Sequence, residues 1–234
     1  MCSNYRPVTR MDRMLTFFGV ELDRDEVPSD VFPTGLAPFI RKAEDDSGNR
    51  LVADGAFGLL PHFATELAYG RRTYNARTET VRSLPSFRDA WRRGQRCIVP
   101  AEAIFEPSYE SGRAVRWRIG QHGDIPMGIA GIYTRWRHPD GRELFSFAML
   151  TVNADDHPLM RRFHKPGEEK RMVVILDPKH YDDWLACSVE VASRHFRPWQ
   201  GELLAEPDPL LRPPRALSGR TVTPPLRPES GELF

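Results

Sequence analysis

The 234-residue chain is expected to fold as one α+β domain, a curved, largely antiparallel, barrel-like sheet with peripheral helices. Two observations predict this. Apolar segments of strand length follow one another through the middle of the chain, and helical patterns stand on either side of them. No internal repeat is visible. The domain is expected to span residues 2–206, and residues 207–234, where seven of 28 residues are Pro, are expected to be a disordered or surface-wrapped tail.

Taken in order, Thr9 to Phe18 reads as a helix, with Thr9 able to cap it, Met11, Met14, Leu15 and Phe18 in one stripe, and Gly19 as a stop. Residues 20–50 are rich in Pro and charge and are expected to be irregular. Phe57 to Pro61 is a short apolar segment broken by its proline. Pro85 to Arg93 reads as a second helix, with Pro in the first turn, Phe87, Ala90 and Trp91 on one face and Gly94 at its end. Strands are expected at 96–100, 115–119, 128–134, 144–151 and 172–176. Asp177-Pro178 then caps a last helix through Trp184 and Leu185.

Composition narrows the function. Lys+Arg number 33 against 32 Asp+Glu, a net +1, which on its face excludes a strongly basic nucleic-acid binder. The longest apolar runs, such as Met172 to Leu176, fall far short of the ~20 residues that span a bilayer. No signal-peptide pattern follows Met1, so a cytoplasmic location is expected. Three cysteines without a CxxC pair argue against a disulfide scaffold or a cysteine-rich zinc site. A phosphate-binding GxxxxGK[ST] loop, an HExxH pair and a GxSxG elbow are absent. Neither metal nor organic cofactor is called for.

The average charge hides a cluster. Eight arginines lie between Arg71 and Arg96 (positions 71, 72, 77, 82, 88, 92, 93 and 96) against Glu79 and Asp89, a local net of +6. Guanidinium forks suit bidentate phosphate contacts. A preference for Arg over Lys accounts for 29 of the 33 basic residues being Arg, but not for their clustering.

Cys2 is the sharpest chemical feature. Removal of Met1 would leave a 1,2-aminothiol, whose α-amine keeps a usable unprotonated fraction near pH 7. An aldehyde would form an imine with that amine, and the thiol would close a thiazolidine ring. An N-terminal cysteine is equally a nucleophile for amide hydrolysis. Asn75, before the basic helix, reads on its own as a turn or cap residue. Glu106, ending an apolar strand, could shuttle protons. His164 could act as acid or base near pH 7, and His157 is the reserve histidine.

Together these residues resemble the SRAP family, the SOS response-associated peptidase proteins that crosslink to abasic sites. The resemblance rests on Met-Cys at the start, Asn-Ala-Arg-x-Glu-Thr followed by Pro-Ser-Phe-Arg-Asp-Ala, Arg-Cys-Ile-Val-Pro-Ala leading to Phe-Glu, and a late His before Arg-Met-Val-Val-Ile-Leu. It runs from Cys2 to about Leu185. It implies that Cys2 joins the ring-opened deoxyribose as a thiazolidine, that Asn75 holds the adduct, and that Glu106 and His164 assist proton transfers. It further implies DNA contacts by Arg77 and Arg171 and by an apolar wedge for which Leu60, Pro61 and Phe63 are the candidates, and the arginine cluster adds Arg71 and Arg72 as candidate contacts. The chain departs from the family pattern at Ser3-Asn4, where Gly-Arg is usual and Arg6 is the substitute, and at Pro107, where Trp is common. The stretch Lys165 to Lys170 also exceeds the usual one-residue gap.

The expected partner is single-stranded DNA bearing abasic sites, bound by a monomer without a membrane or metal. Self-processing or peptidase activity would use the same thiol, leaving hydrolase and lyase classes open. Two alternatives stand beside this: an N-terminal-cysteine amide hydrolase with no DNA role, and a non-enzymatic single-strand-binding module in which Cys2 is incidental.

Overall fold

The computed structural model describes residues 2–23, 28–45, 48–138 and 140–210. Its centre is a barrel-like sheet. Strands β1 (Tyr5–Pro7), β2 (Leu36–Lys42), β3 (Arg50–Phe57), β4 (Asn75–Arg77), β5 (Arg96–Ser108), β6 (Val115–Gln121), β7 (Met127–Arg137), β8 (Glu143–Asn153), β9 (Arg171–Val173), β10 (Ile175–Leu176) and β11 (Leu203–Pro207) belong to one sheet. Five of them close a ring. β2 pairs with β3, β3 with β8, β8 with β7, β7 with β5, and β5 returns to β2. Only the β3–β8 contact in that ring is parallel, so the expected largely antiparallel barrel is what forms. Closure removes the exposed strand edges that an open sheet would present.

The helices are short and peripheral: α1 (Met11–Phe18), α2 (Arg88–Arg92) and α3 (Tyr181–Ala186). α1 ends at Gly19 as expected, in the left-handed conformation at φ 66°, with its N–H donating to Leu15 O. At its start, however, Arg10 occupies the cap position and makes no side-chain cap. Met14 and Phe18 are buried, Phe18 stacking on Tyr181 of α3 at 5.6 Å, whereas Met11 and Leu15 are more than half exposed. In α2 the buried face is Ala90 and Trp91. Asp177 accepts from Lys179 N, capping a 3-10 turn that leads into α3. Among the described residues no helix is long and apolar enough to cross a membrane.

The expected irregularity of residues 20–50 is a correction, apart from residues 24–27 and 46–47, which lie outside the described residues. The segment holds all of β2 and the first residue of β3. Proline punctuation hid β2. Pro38 lacks an N–H for a ladder, yet here it faces only β3, because β5 reaches β2 only at Ile40 and Arg41. The core packs around aromatic contacts, with Phe57 and Phe147 at 5.6 Å, Phe39 and Phe147 at 5.4 Å, and Tyr5 edge-on to Phe57 at 5.2 Å. The expected tail starts at Pro207, which is instead the last residue of β11, paired with Trp117 of β6. From residue 211 onward it lies outside the described residues.

Candidate functional site

Four buried side chains meet at the N-terminus. Cys2 is delivered by β1, which pairs with β5 (Tyr5 opposite Ile104, Arg6 opposite Ala103) and is clamped on its other side by reciprocal backbone bonds between Tyr5 and Val31. Asn4 extends that clamp. Its carbonyl accepts from Phe105 N at 3.0 Å and from the Cys2 thiol at 3.3 Å. Its side-chain amide donates to Val31 O at 3.1 Å and accepts from Arg116 Nε at 2.9 Å. Position 4 is therefore a buried anchor.

Asn75 opens β4, which runs parallel to β8 with Asn75 opposite Met149. Thr73 fixes its approach by donating its hydroxyl to Leu59 O at 2.7 Å. The Asn75 amide then donates to Cys2 O at 2.8 Å across 73 residues of sequence. Glu106 lies near the end of β5 and is 2% exposed. His164 follows, its N–H donating to Pro107 O at 2.9 Å and its Nε2 lying 3.1 Å from Glu106 Oε2. That approach is close in distance but not aligned as a hydrogen bond. Both imidazole nitrogens and Asn75 Oδ1 are thus buried without a hydrogen-bond partner among the described residues. His164 also holds φ 64°, a left-handed conformation that costs a residue of this type of order 1–3 kcal/mol.

The electrostatics are those of a dry site. Burial, with the Glu106 carboxylate nearby, pushes the Cys2 thiol up to about 12, so the sulfur is held as a protonated thiol. The Tyr74 phenol is raised by its own burial and by the nearness of Cys2 and Glu106. Sequence reasoning did not select Tyr74; its place beside Asn75 was the one available signal. It also missed Arg116, which reaches from β6 to Asn4, to Asp30 and onto the face of the Phe105 ring at 3.4 Å.

The expected DNA-contact residues divide. Arg77, Arg71, Arg72 and Phe63 are exposed. Phe63 packs edge-on to Tyr69 at 5.7 Å, and Arg72 lies over the Tyr69 ring at 4.8 Å. Leu60 and Pro61 are buried, Leu60 in a small cluster with Ala64 and Trp136, so neither offers wedge surface. Arg171 is 2% exposed and committed to the protein, donating twice to Glu79 at 2.9 Å and once to Thr151 O at 2.7 Å. Arg6 is half-buried and paired with Asp30 at 3.2 Å. Arg96, the last of the clustered arginines, is buried and donates to the carbonyls of Trp184 and Cys187. The reserve histidine, His157, is structural: its Nδ1 accepts from Leu159 N and Met160 N while its Nε2 meets Trp199 O.

Among the described residues, Asp183, Cys187 and His195 bring metal-ligand atoms within 4.8 Å of one another. Asp183 already pairs with Arg194 and with His195 Nε2 at 2.8 Å, and Arg96 reaches the Cys187 carbonyl. Two guanidiniums beside a satisfied carboxylate make this an ion-pair cluster and a poor cation site.

The family model for SOS response associated peptidase (SRAP) matches residues 1–207. The chain belongs to the SRAP family. Within it, the chain is 28% identical over 190 residues to the abasic site processing protein YoqW of Bacillus subtilis, covering 79% of this chain and 80% of that one. It is 31% identical over 142 residues to the abasic site processing protein YoaM of the same organism, covering 60% and 59%. A crystal structure from Bordetella bronchiseptica superposes with a TM-score of 0.82 at 39% identity, over 89% of this SRAP chain and 100% of that chain. Another, from Bacteroides thetaiotaomicron, shares the fold with a TM-score of 0.74 at 22% identity, over 87% and 90%.

Proposed function

We propose that this protein processes abasic sites in DNA by capturing the ring-opened deoxyribose on Cys2 after Met1 is removed. Met1 itself lies outside the described residues. The observation that carries this reading is the convergence of Cys2, Asn75, Glu106 and His164 in one buried cluster, with His164 against Glu106 and Asn75 bonded to the Cys2 backbone. SRAP membership and relatives named for abasic site processing support the same substrate class.

The chemistry uses the chain's own groups. The freed α-amine of Cys2 attacks the C1′ aldehyde, giving a carbinolamine, and loss of water yields an imine. The thiol then adds to the imine carbon, its proton passing to nitrogen, and a thiazolidine closes. Ring closure requires a base to take the thiol proton, and Glu106 with His164 supplies it. The same pair protonates the departing hydroxyl. Asn75 orients the Cys2 backbone and offers its free oxygen to the sugar. Outside the pocket, exposed Arg77 is assigned to a flanking phosphate, and Phe63 with Tyr69 and Arg72 forms a stacking surface suited to single-stranded bases.

The test is a single-stranded oligonucleotide with one abasic site. Protein whose intact mass shows Met1 removed is expected to give a denaturation-resistant adduct, and Cys2→Ala none. No adduct from correctly processed protein overturns the reading. Turnover of amide substrates without an adduct would favour an N-terminal-cysteine hydrolase, and unaltered DNA binding by Cys2→Ala with no chemistry in either form a simple binding module.

A further inference from the structure

One anion position beside the site is already filled by the protein's own carboxylate. Glu169 Oε2 lies 2.9 Å from Arg77 Nη1, and Glu169 Oε1 lies 2.7 Å from Arg171 Nη1. Asn153 Nδ2 adds a weaker contact to Oε1 at 3.3 Å. Guanidiniums from β4 and β9 thus converge on the two oxygens of one side chain, much as they would on the two non-bridging oxygens of a phosphodiester. The two arginines do not depend on Glu169 equally. Arg171 is buried and remains held by Glu79 and the Thr151 carbonyl. Arg77 is half exposed, and Glu169 is the carboxylate it engages among the described residues.

We propose that Glu169 is an internal competitor for the DNA phosphate, occupying Arg77 in the free protein and displaced from it by a phosphodiester of the bound strand. This rests on the DNA reading above. The competitor sits in the segment between His164 and Arg171. The segment also ties the phosphate position to the reacting groups: Lys170 Nζ donates to the carbonyls of His164 and Lys165 at 3.3 and 2.8 Å, so displacement occurs on the loop that holds His164 against Glu106. Its consequence is selectivity by residence time. A strand must break an ion pair before it gains Arg77, which weakens noncovalent binding to undamaged DNA, whereas a captured abasic site is retained by its covalent bond.

The experiment compares binding of an undamaged single-stranded oligonucleotide, followed by fluorescence anisotropy, in wild type, Glu169→Gln and Glu168→Gln. The last removes the same charge from the exposed neighbouring residue and so controls for net charge. Glu169→Gln is expected to bind roughly two- to fivefold tighter than Glu168→Gln, the worth of a partly exposed ion pair. In an Arg77→Ala background the gain should vanish. Equal or weaker binding by Glu169→Gln, or a gain that persists without Arg77, overturns the proposal. Adduct formation on an abasic oligonucleotide is measured alongside. Wild type that forms adduct while Glu169→Gln shows no gain refutes the competitor alone, and wild type that neither binds nor forms adduct removes the DNA reading and the competitor with it.

Discussion

Arg77 and Arg171 carry the same side chain and were read from sequence as the same kind of contact, but burial gives them different work. Arg171 is 2% exposed and makes charged bonds to Glu79, Glu169 and Thr151, which join β9 to β8 and to the turn after β4. Its loss empties a buried space and unpairs two partly hydrated carboxylates, and should cost about 3 kcal/mol, near the low end for a broken buried ion pair. Arg171→Ala is therefore expected to lower the urea midpoint markedly, while Arg77→Ala leaves it within about 0.5 kcal/mol of wild type. Equal stability of the two variants would return Arg171 to the DNA surface. Cys2, Asn75, Glu106 and His164 could be singled out by residue type within ordered motifs, and the fold brings the four together. Whether an arginine faces water or a carboxylate is decided by tertiary packing, and neither Arg96 nor Arg171 announces its burial locally.

At the scale of elements, apolar alternation made β5 to β8 readable, and it failed where proline and charge interrupt a strand, as in β2 with Pro38 and β3 with Asp54 and Gly55. What no periodicity could reveal is how the end of β3 meets the segment before Asn75. Gly58 has φ 130° and packs against Gly70 so closely that an added Cβ would sit 2.3 Å from Gly70 O. That contact seats the 3-10 turn of residues 67–72, three residues ahead of Asn75, and the Leu59–Thr73 bonds continue it. Gly58→Ala combines a forbidden backbone conformation with a backbone clash, and is expected to cost about 3 kcal/mol in chemical denaturation. It should also slow adduct formation by displacing Asn75. Gly112→Ala, at φ 78° with open space around it, isolates the conformational part and should cost about 1 kcal/mol with adduct formation unchanged. Equal effects of the two would mean that the Gly58–Gly70 contact does not position the site.

For the whole molecule, a net charge of +1 is an average over a segmented surface. Seven of the eight arginines between Arg71 and Arg96 are exposed, and the eighth is folded into the core against Trp184 and Cys187. The acidic complement is spread through ion pairs elsewhere, such as Glu102 with Arg13 and Asp30 with Arg116. A surface of this kind binds a polyanion locally despite near-neutral charge, and counterion release makes that binding salt-dependent. For a single strand the slope of log K against log salt changes by about 0.7 for each phosphate contact. Arg77→Ala is accordingly expected to flatten the slope by about 0.7 and to weaken binding similarly for any sequence, since a phosphate contact reads no base. Arg10→Ala, which removes an equal charge from an exposed pair with Asp12 at the start of α1, should leave the slope unchanged. Titrating both variants and wild type with a nonreactive abasic analogue from 50 to about 200 mM salt separates local contact from net charge. Parallel slopes for all three proteins would place the phosphate-binding surface away from β4.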